Sequence, residues 1–586
     1  MYYFKFFYKS LGISLFLSML LSLSVGLFDG LGLALFLPLL KVIDGPINMD
    51  PNDPLYFIFD IFSTLNIDLN LISILIFISA FFFIKGISNF LSKSYKVILR
   101  QRFIKNLRKK IIDNVSAISY KAFVKTDVGR MQNTMTSEVE KCLGACLSFL
   151  ATTEHLILVI VYLIFSLYVD FYFTIFAIFV GIINFALFNI IYKKTRTGSQ
   201  LVVRDQHDYQ GLVVELINNF KYLKSTGALN LFKKKIKKMI DEIEISKRKI
   251  FINDALLQSS PEPILIFIVV IIIFVYTHNF KTSIDSVLVS LLFFYRAGTS
   301  IMNMQVSYNQ FLAVSASIDN MKQFNDEILT QRENMGNTII DSFNSEIQII
   351  EGSLSFDKEE IIKKINLKVK KNQTTAIVGE SGSGKTTLLN LLSGLIPLGK
   401  GKIIIDGIDS TLIDLHSFRK QIGYITQEPV IFSDSIFNNI TTWSDRNDAN
   451  IEKFENALKN ALIYDFVESL PEKHDTILGH NGINVSGGQR QRISIARELF
   501  KNVNILIFDE ATSNLDSNIE KSIQENIDSL KGQFTMFVVA HRLSTVKNAD
   551  KIVFMQNGQI KSIGDYESLI AKDLDFQKMI NTQSLV

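Results

Sequence analysis

The chain has 586 residues, 48% of them hydrophobic, and its mean hydropathy is +0.24. It is too long for one typical domain and too apolar for a purely soluble protein, so we expect at least two domains, one of them in a membrane. The formal net charge of +4 and the two cysteines, Cys142 and Cys146, argue against nucleic-acid binding, a disulfide framework and a thiolate metal site.

Six apolar runs long enough to cross a bilayer occupy the first half of the chain. They lie near residues 11–40, 69–90, 145–168, 171–192, 258–277 and 283–304. The first run is too long for a signal peptide and no small-residue cleavage site follows it, so we expect a retained membrane helix. Six spans return the chain to the side on which it started.

The connections between these runs differ in charge. Those at 92–141 and 193–250 are rich in lysine and arginine, whereas residues 41–70 hold five aspartates and one basic residue, Lys41. Basic connections stay in the cytosol, so the N-terminus and the second half of the chain are predicted to be cytosolic. Abundant Ile, Phe, Lys and Asn with only nine prolines indicate a bacterial source and therefore the plasma (inner) membrane. Within 41–70 we expect a loop with a short helix near 54–65; the alternative is that this acidic loop helps to recognise or release cargo.

Three ionisable residues stand out inside the predicted spans: Asp29, Glu262 and Arg296. Charges at this depth are costly and are candidates for a substrate path. Glu262 lies between Pro261 and Pro263, where a helix is expected to bend. The alternative is that Glu262 and Arg296 form a purely structural pair.

A glycine-rich loop marks the second half of the sequence. Residues 379–386 read Gly-Glu-Ser-Gly-Ser-Gly-Lys-Thr, between an apolar strand at 374–378 and a helix that begins near 386. Such a loop turns backbone N–H groups toward phosphates at the positive end of a helix. Lys385 is placed to reach the β- and γ-phosphates, and the Thr386 hydroxyl to bind Mg²⁺.

Further polar residues follow in order along the chain. The apolar strand at 504–508 is followed by Asp509, suited to the Mg²⁺ shell, and Glu510, suited to polarise the attacking water. Upstream, residues 485–489 offer the backbone N–H groups of two glycines to an anion. His541 follows the next apolar strand, and its neutral imidazole is suited to donate a hydrogen bond to the γ-phosphate.

In this order and spacing the motifs resemble those of ATP-binding cassette (ABC) transporters of the exporter type. The resemblance covers the chain nearly end to end, through the Walker A loop at 379–387, the Q-loop Gln427, the signature at 485–489, Walker B at 505–510, the D-loop at 513–516 and the switch His541. It implies a membrane α-helical domain followed by an α/β P-loop cassette. It also implies that ATP lies between two cassettes, with Walker A of one facing the signature of the other.

The resemblance assigns roles to individual residues. It implies that Glu510 is the catalytic base, assisted by His541 and Gln427, and that Mg²⁺ is held by Thr386, Gln427 and Asp509. The residues implied to contact ATP are Gly379, Ser381, Gly382, Ser383, Gly384, Lys385, Thr386, Thr387, Ser486, Gly487, Gly488, Gln489, Phe356 and Asp516. A looser resemblance to the lipid-linked oligosaccharide flippase branch rests on Asp29 in the first span and Tyr295-Arg296 in the last.

The sequence departs from the family pattern in three places. Phe356 stands where an adenine-stacking aromatic is expected, but Asp357-Lys358 follows where the family often has a tyrosine. Val485 opens the signature in place of the common leucine. His480 stands where exporters often carry a glutamate that meets the coupling helices.

The predicted organisation is a transmembrane domain at 1–323, a linker at 324–344 and a cassette at 345–586. By resemblance, short coupling helices lie near 118–125 and 226–234. One membrane domain with one cassette is half of a working unit, so we expect a homodimer in the lipid bilayer that couples ATP hydrolysis to export by alternating access. The alternatives are one half of a heterodimer or an ATP-gated channel. A lipid-linked saccharide, a lipid, a peptide and an amphipathic drug all remain open as substrates.

Overall fold

The structure is a computed structural model that describes residues 2–44, 64, 67–68, 70–169, 171–279, 284–333, 335–356, 359–479, 482–509, 525, 527–540 and 546–583. The chain divides into two compact units. The first comprises residues 1–118 and 125–332, and the second residues 119–124 and 333–586. The predicted helix at 54–65 lies outside the described residues, apart from Thr64.

The first unit is helical. The helices up to residue 330 are, in chain order, α1 (Tyr2–Leu11), α2 (Ser14–Ala34), α3 (Phe36–Asp44), α4 (Leu71–Ser116), α5 (Tyr120–Lys125), α6 (Val128–Asn133), a π-helical turn (Thr134–Glu138), α7 (Val139–Val169), α8 (Phe171–Asn218), α9 (Phe220–Ser225), α10 (Leu229–Ser259), α11 (Pro261–Asn279) and α12 (Ile284–Thr330). Of these, α5 belongs largely to the second unit.

Local sequence explains where several of these helices begin and end. Asn70 caps α4, since its side chain accepts from Ser73 N at 2.8 Å and its own N–H donates to Ser73 Oγ at 3.1 Å. The break between α10 and α11 falls at Ser260, immediately before Pro261, because proline lacks the N–H that would continue the helical ladder. The bend expected at this point is therefore present.

Four segments of the described chain are long and apolar enough to cross a membrane: Ser14–Val42, Leu71–Ser116, Val128–Val169 and Leu229–Ile271. They cover all of the third predicted span and most of the first, second and fifth. The fourth and sixth predicted spans lie within α8 and α12, and the count of six stays a prediction.

The first predicted coupling helix overlaps α5, but the second is misplaced. Residues 226–228 form a turn and 229–234 begin α10, while the short helix α9 lies just before them.

Close helix packing builds the core of the first unit. α2 packs on α4 and α7, and α7 runs along α12. At Gly30 a Cβ atom would lie 2.3 Å from Cε2 of Phe165, so only glycine permits this approach. Phe165 in turn stacks on Phe293 with ring centres 5.6 Å apart. These contacts fix the face of α2 that carries Asp29.

The second unit is an α/β cassette with two sheets. Its strands are β1 (Glu346–Phe356), β2 (Glu359–Lys370), β3 (Thr374–Gly379), β4 (Lys400–Ile405), β5 (Ile408–Asp409), β6 (Ile422–Ile425), β7 (Ile505–Asp509), β8 (Thr535–Val539), β9 (Lys551–Gln556) and β10 (Gln559–Gly564). Its helices are α13 (Lys385–Leu392), α14 (Leu415–Arg419), α15 (Ile436–Thr441), α16 (Asp448–Asn460), α17 (Tyr464–Glu468), α18 (Gly487–Phe500), α19 (Tyr566–Lys572) and α20 (Leu574–Gln583).

The two sheets enclose the main core of the cassette. One has the order β2-β1-β4-β5 and is antiparallel. The other has the order β10-β9-β3-β8-β7-β6, in which only β10 is antiparallel to its neighbour. The central strands β3, β7 and β8 are almost wholly buried, which explains why their sequences are continuous apolar runs rather than alternating ones. The carboxyl ends of β3, β6, β7 and β8 meet at one edge.

The segment that leads into the cassette lies along it. The predicted domain boundary at residue 323 falls inside α12, which continues to Thr330. Beyond it, Gly336 N donates to Ile413 O and Thr338 N to Leu412 O, each at 2.9 Å. Residues 333–344 therefore form part of the second unit.

Candidate functional site

The glycine-rich loop follows β3 at the carboxyl edge of the parallel sheet. Gly379 ends β3 with φ +153°, and a Cβ atom there would lie 2.3 Å from Met555 O on β9. Gly382 and Gly384 also have positive φ, which folds the loop back so that Lys385 begins α13. The loop therefore requires glycine for conformation and for space.

Lys385 lies inside this loop. Its side chain is 6% exposed, and Nζ donates to Gly379 O and Glu380 O at 3.0 Å each. The Ser383 hydroxyl beside it is buried and has no hydrogen-bond partner among the residues that the structure describes. A buried ammonium group and an unsatisfied hydroxyl at a helix N-terminus fit the oxygens of a phosphate chain.

Asp509 ends the neighbouring strand β7 and faces the start of α13. Its Oδ1 accepts from Thr386 Oγ1 at 3.4 Å, and its Oδ2 accepts from Tyr424 OH at 3.2 Å. A hydroxyl beside a carboxylate is an oxygen donor set that suits Mg²⁺. The third predicted ligand, Gln427, lies two residues beyond β6 and is exposed.

Tyr424 was not among the residues predicted from sequence. It lies on β6, which pairs with β7 in parallel, and this pairing brings its hydroxyl to Asp509. Burial raises the pKa of Tyr424, and the Asp509 charge raises it further, so the hydroxyl stays a donor. The feature of the sequence that could have pointed to Tyr424 is its position, three residues before Gln427.

The signature segment forms the N-terminus of α18. Ser486 caps the helix, because Oγ accepts from Gln489 N at 3.3 Å while Gln489 Oε1 accepts from Ser486 N at 2.7 Å. Gly487 and Gly488 form the first turn, and Val485 is buried in the apolar cluster behind it. The Gln489 side chain thus holds the helix start in place.

Arg497, on the same helix, is a second residue that sequence patterns did not single out. It is 6% exposed and donates to Asn439 O from Nε and to Val430 O at 2.8 Å from Nη1. Burial lowers its pKa. It ties the signature helix to Val430 and Asn439, in the segment that follows Gln427.

Several predicted residues lie outside the described residues: Glu510, His541, Asp516, His480, Asp357 and Lys358. Phe356 is described and half-buried at the end of β1. Lys121, which belongs to the same unit, lies with Nζ 5.4 Å from its ring centre. Adenine stacking on Phe356 stays a prediction.

Comparison with known proteins adds to this geometry. The family model "ABC transporter transmembrane region" matches residues 15–306, and the model "ABC transporter" matches residues 362–513. An ATP-dependent lipid A-core flippase of Francisella tularensis subsp. tularensis (strain FSC 198) is 30% identical over 499 residues, which cover 83% of this chain and 81% of the relative. The chain belongs to the ABC transporter family.

One further relative of this ABC transporter matches over a shorter stretch, and one solved structure matches over nearly the whole chain. An ATP-dependent lipid A-core flippase of Desulfotalea psychrophila is 44% identical over 246 residues, 42% of this chain, so the chain spans 43% of that relative's length. A bacterial Atm1-family ABC exporter solved with ATP bound has a TM-score of 0.79 at 21% identity, covering 98% of both chains. The predicted fold, a helical membrane domain followed by a P-loop cassette, is confirmed.

The first unit contains the apolar segments long enough to cross a membrane and is called the membrane unit below. The ionisable residues predicted to lie within its spans have partners other than those expected. Asp29 is 2% exposed, and its Oδ1 accepts from Lys85 Nζ at 2.7 Å while Oδ2 accepts from Tyr162 OH. Glu262 and Arg296, both described, form no ion pair with each other, so that structural pair is absent here. Lys85, within the second predicted span, was missed although its charge in an apolar run is itself a signal.

Proposed function

We propose that this ABC transporter uses ATP hydrolysis to export or flip a lipid-type substrate across the bacterial inner membrane. The observation that carries the proposal is a phosphate-binding loop with Lys385, Thr386 and Asp509 brought together, on a chain that also contains a membrane unit. The names of the Francisella and Desulfotalea relatives support a lipid that bears saccharide. ATP-gated conduction without pumping is the alternative, and an intact Glu510 and His541 in the sequence argue against it.

The chain's own residues supply distinct parts of the reaction. Lys385 and the loop N–H groups bind and orient the phosphates, and Thr386 and Asp509, with Gln427, would hold Mg²⁺. The ion would neutralise charge on the phosphate oxygens. Glu510 takes the proton from the attacking water, and His541 donates to the γ-phosphate.

Two copies of the chain complete the site. Ser486 caps the N-terminus of α18 and is exposed, and the resemblance pairs this helix start, with the backbone N–H groups of Gly487 and Gly488, with Walker A of a second copy. ATP binding then closes the two cassettes, and hydrolysis and product release reopen them. A heterodimer with a different half-transporter is the alternative assembly.

The membrane orientation and the substrate path complete the proposal. The basic connections support a cytosolic location for the N-terminus and the cassette. Glu262 and Arg296 remain candidates for the substrate path, as does Asp29 through its contact with Lys85. An Arg296→Gln protein is expected to lose substrate-stimulated ATPase activity while folding normally, and normal transport by it would remove Arg296 from the path.

The test is ATPase activity of the purified chain in lipid vesicles. The wild type is compared with Glu510→Gln against a panel of phosphorylated glycolipids, phospholipids, peptides and amphipathic drugs. We expect hydrolysis that a glycolipid stimulates and that Glu510→Gln abolishes without loss of ATP binding. Nucleotide binding without hydrolysis by the folded wild type would contradict a self-sufficient homodimer.

A mixing experiment tests the composite site directly. Lys385→Ala and Gly488→Asp are each expected to be inactive when expressed alone. If each site combines two copies, co-expression of the two variants regenerates one intact site per mixed dimer and restores part of the activity. No recovery in dimers shown to be mixed would contradict the proposed assembly.

A further inference from the structure

A pocket of about 530 Å³ lies in the cassette, at the edge of the parallel sheet. It includes Ile422, where the edge strand β6 begins, and its walls come from α14, α16, the turn after α15 and the end of α18. The signature begins α18 and Phe500 ends it, so the pocket lies about 20 Å along this helix from the signature. The pocket is therefore separate from the predicted ATP site, and its volume is in the range of small-molecule sites.

The side chains that line the pocket and carry a permanent charge are all basic. They are Arg419, Lys420, Lys453 and Lys501, and no aspartate or glutamate of the described chain lines the pocket. Arg419 is compensated by Glu333, and Lys501 by Glu498 at 2.8 Å. Lys420 and Lys453 are exposed and form no ion pair with any carboxylate that the structure describes. Two uncompensated ammonium groups at one pocket favour an anionic ligand.

The wall of the pocket contains a buried donor that lacks an acceptor. Arg419 donates to Glu333 from Nη1 at 2.8 Å and to Gly394 O from Nη2, but its buried Nε has no hydrogen-bond partner among the described residues. Buried donors are rarely left unsatisfied, and an oxygen of a ligand would satisfy this one. Beside it, Thr442 has a φ of +50°, a strained conformation for a β-branched residue of the kind that clusters at ligand sites.

The pocket offers little apolar surface to a ligand. Its large apolar side chains, Ile422 and Phe500, are each only 8% exposed and belong to the two apolar clusters of the cassette. The rest of the lining is polar: His416, Thr442, Ser444, Asn450 and Asn502, with the four basic residues. A lipid would gain little from such walls, whereas the oxygens of a soluble phosphate group match ammonium and guanidinium donors.

We propose that this pocket binds a soluble small molecule that carries a phosphate or pyrophosphate group. Lys420 approaches the group from the end of α14 and Lys453 from α16, and together they neutralise its charge. Arg419 donates a hydrogen bond from Nε. The bound ligand thus links two helices that lie on opposite sides of β6 in the sequence. The site goes beyond the proposed transport function and does not depend on it.

The test is isothermal titration calorimetry of the full-length chain in detergent with inorganic pyrophosphate. ADP with Mg²⁺ is kept saturating, so that the glycine-rich loop is occupied. We expect saturable binding by the wild type. Because hydrogen bonds to charged groups are among the stronger ones, the variant Lys420→Gln with Lys453→Gln is expected to raise the Kd at least about tenfold. No saturable binding by the wild type would overturn the site.

The single tryptophan reports where pyrophosphate binds. Trp443 is 56% exposed and lies between two residues that line the pocket, Thr442 and Ser444. We expect its fluorescence to change with the Kd that calorimetry gives, and sodium chloride at equal ionic strength to leave it unchanged. A change that persists with the wild-type Kd in the double lysine variant would place pyrophosphate elsewhere and refute the site.

A matched control removes the same charge from the same unit. Lys459 lies on α16 like Lys453, and Lys572 lies on α19; both are exposed and neither lines the pocket. We expect Lys459→Gln with Lys572→Gln to bind pyrophosphate like the wild type. An equal loss in the pocket variant and the control would show non-specific attraction and overturn the site.

A phosphate group can also belong to a lipid, and competition distinguishes the two sources. Because the apolar side chains of the pocket are buried, dioleoyl phosphatidic acid at a concentration equal to that of pyrophosphate is expected not to displace it. Displacement by the lipid would refute a soluble ligand as the occupant.

Discussion

The ion pair between Asp29 and Lys85 gives a sharp prediction for the membrane unit. Asp29 is 2% exposed whereas the Lys85 side chain is 24% exposed. Removing one partner of a buried ion pair leaves the other charge without compensation, which costs about 3–5 kcal/mol. Lys85→Met leaves the more buried charge unpaired, whereas Asp29→Asn leaves an ammonium group that can reach a more polar region. We therefore expect Lys85→Met to be the more destabilising change.

The double variant provides the control. Asp29→Asn with Lys85→Met removes both charges, and an amide at position 29 can still accept from Tyr162 OH. We expect it to cost much less than Lys85→Met alone, since neutral replacement of a buried pair is often tolerated. With about 2 °C per kcal/mol for a domain of this size, Lys85→Met lowers Tm by roughly 6 °C or more, and the double variant restores most of that loss.

The chain contains its own probe for this measurement. Its two cysteines, Cys142 and Cys146, are both fully buried in the membrane unit. A dye that fluoresces on reaction with thiols therefore reports thermal unfolding of that unit in detergent. The reasoning is refuted if Lys85→Met is no less stable than the double variant, because the pair would then carry no coupling energy.

Three further predictions concern individual sites. Gly379→Ala is expected to abolish ATP binding, because the added methyl group would meet Met555 O, and binding of a fluorescent ATP analogue checks this. Arg497→Met leaves buried oxygens, including Asn439 O, without hydrogen-bond donors, so we expect the free energy of unfolding of the cassette to fall by about 3 kcal/mol. The fluorescence of the single tryptophan measures this unfolding. Unchanged stability would contradict the anchoring role of Arg497. Burial lowers the pKa of His207, so the folded unit favours the neutral ring. The contribution of His207 to stability is therefore constant above about pH 7 and decreases as the pH drops through about 6.5, and a His207→Gln protein is expected to show a weaker pH dependence than the wild type in the thiol-dye assay.

The order of motifs along the chain was sufficient to predict the fold class. The loop at 379–386 needs a strand before it and a helix after it, and the structure has β3 and α13 there. Glycines in that loop and apolar runs in central strands are local requirements, so they can be read from sequence. The same holds for the break before Pro261, which depends on one missing N–H group.

Partners distant in sequence were decided by tertiary packing. Tyr424 meets Asp509 only because β6 and β7 pair in parallel, and Asp29 meets Lys85 only because α2 packs on α4. Sequence placed charges in the membrane but could not say which would face one another, since rotation of a helix changes its neighbours without changing its hydropathy. What the sequence by itself determined is the chemistry and class of the protein. Which of its buried charges pair with one another was determined by how the helices pack.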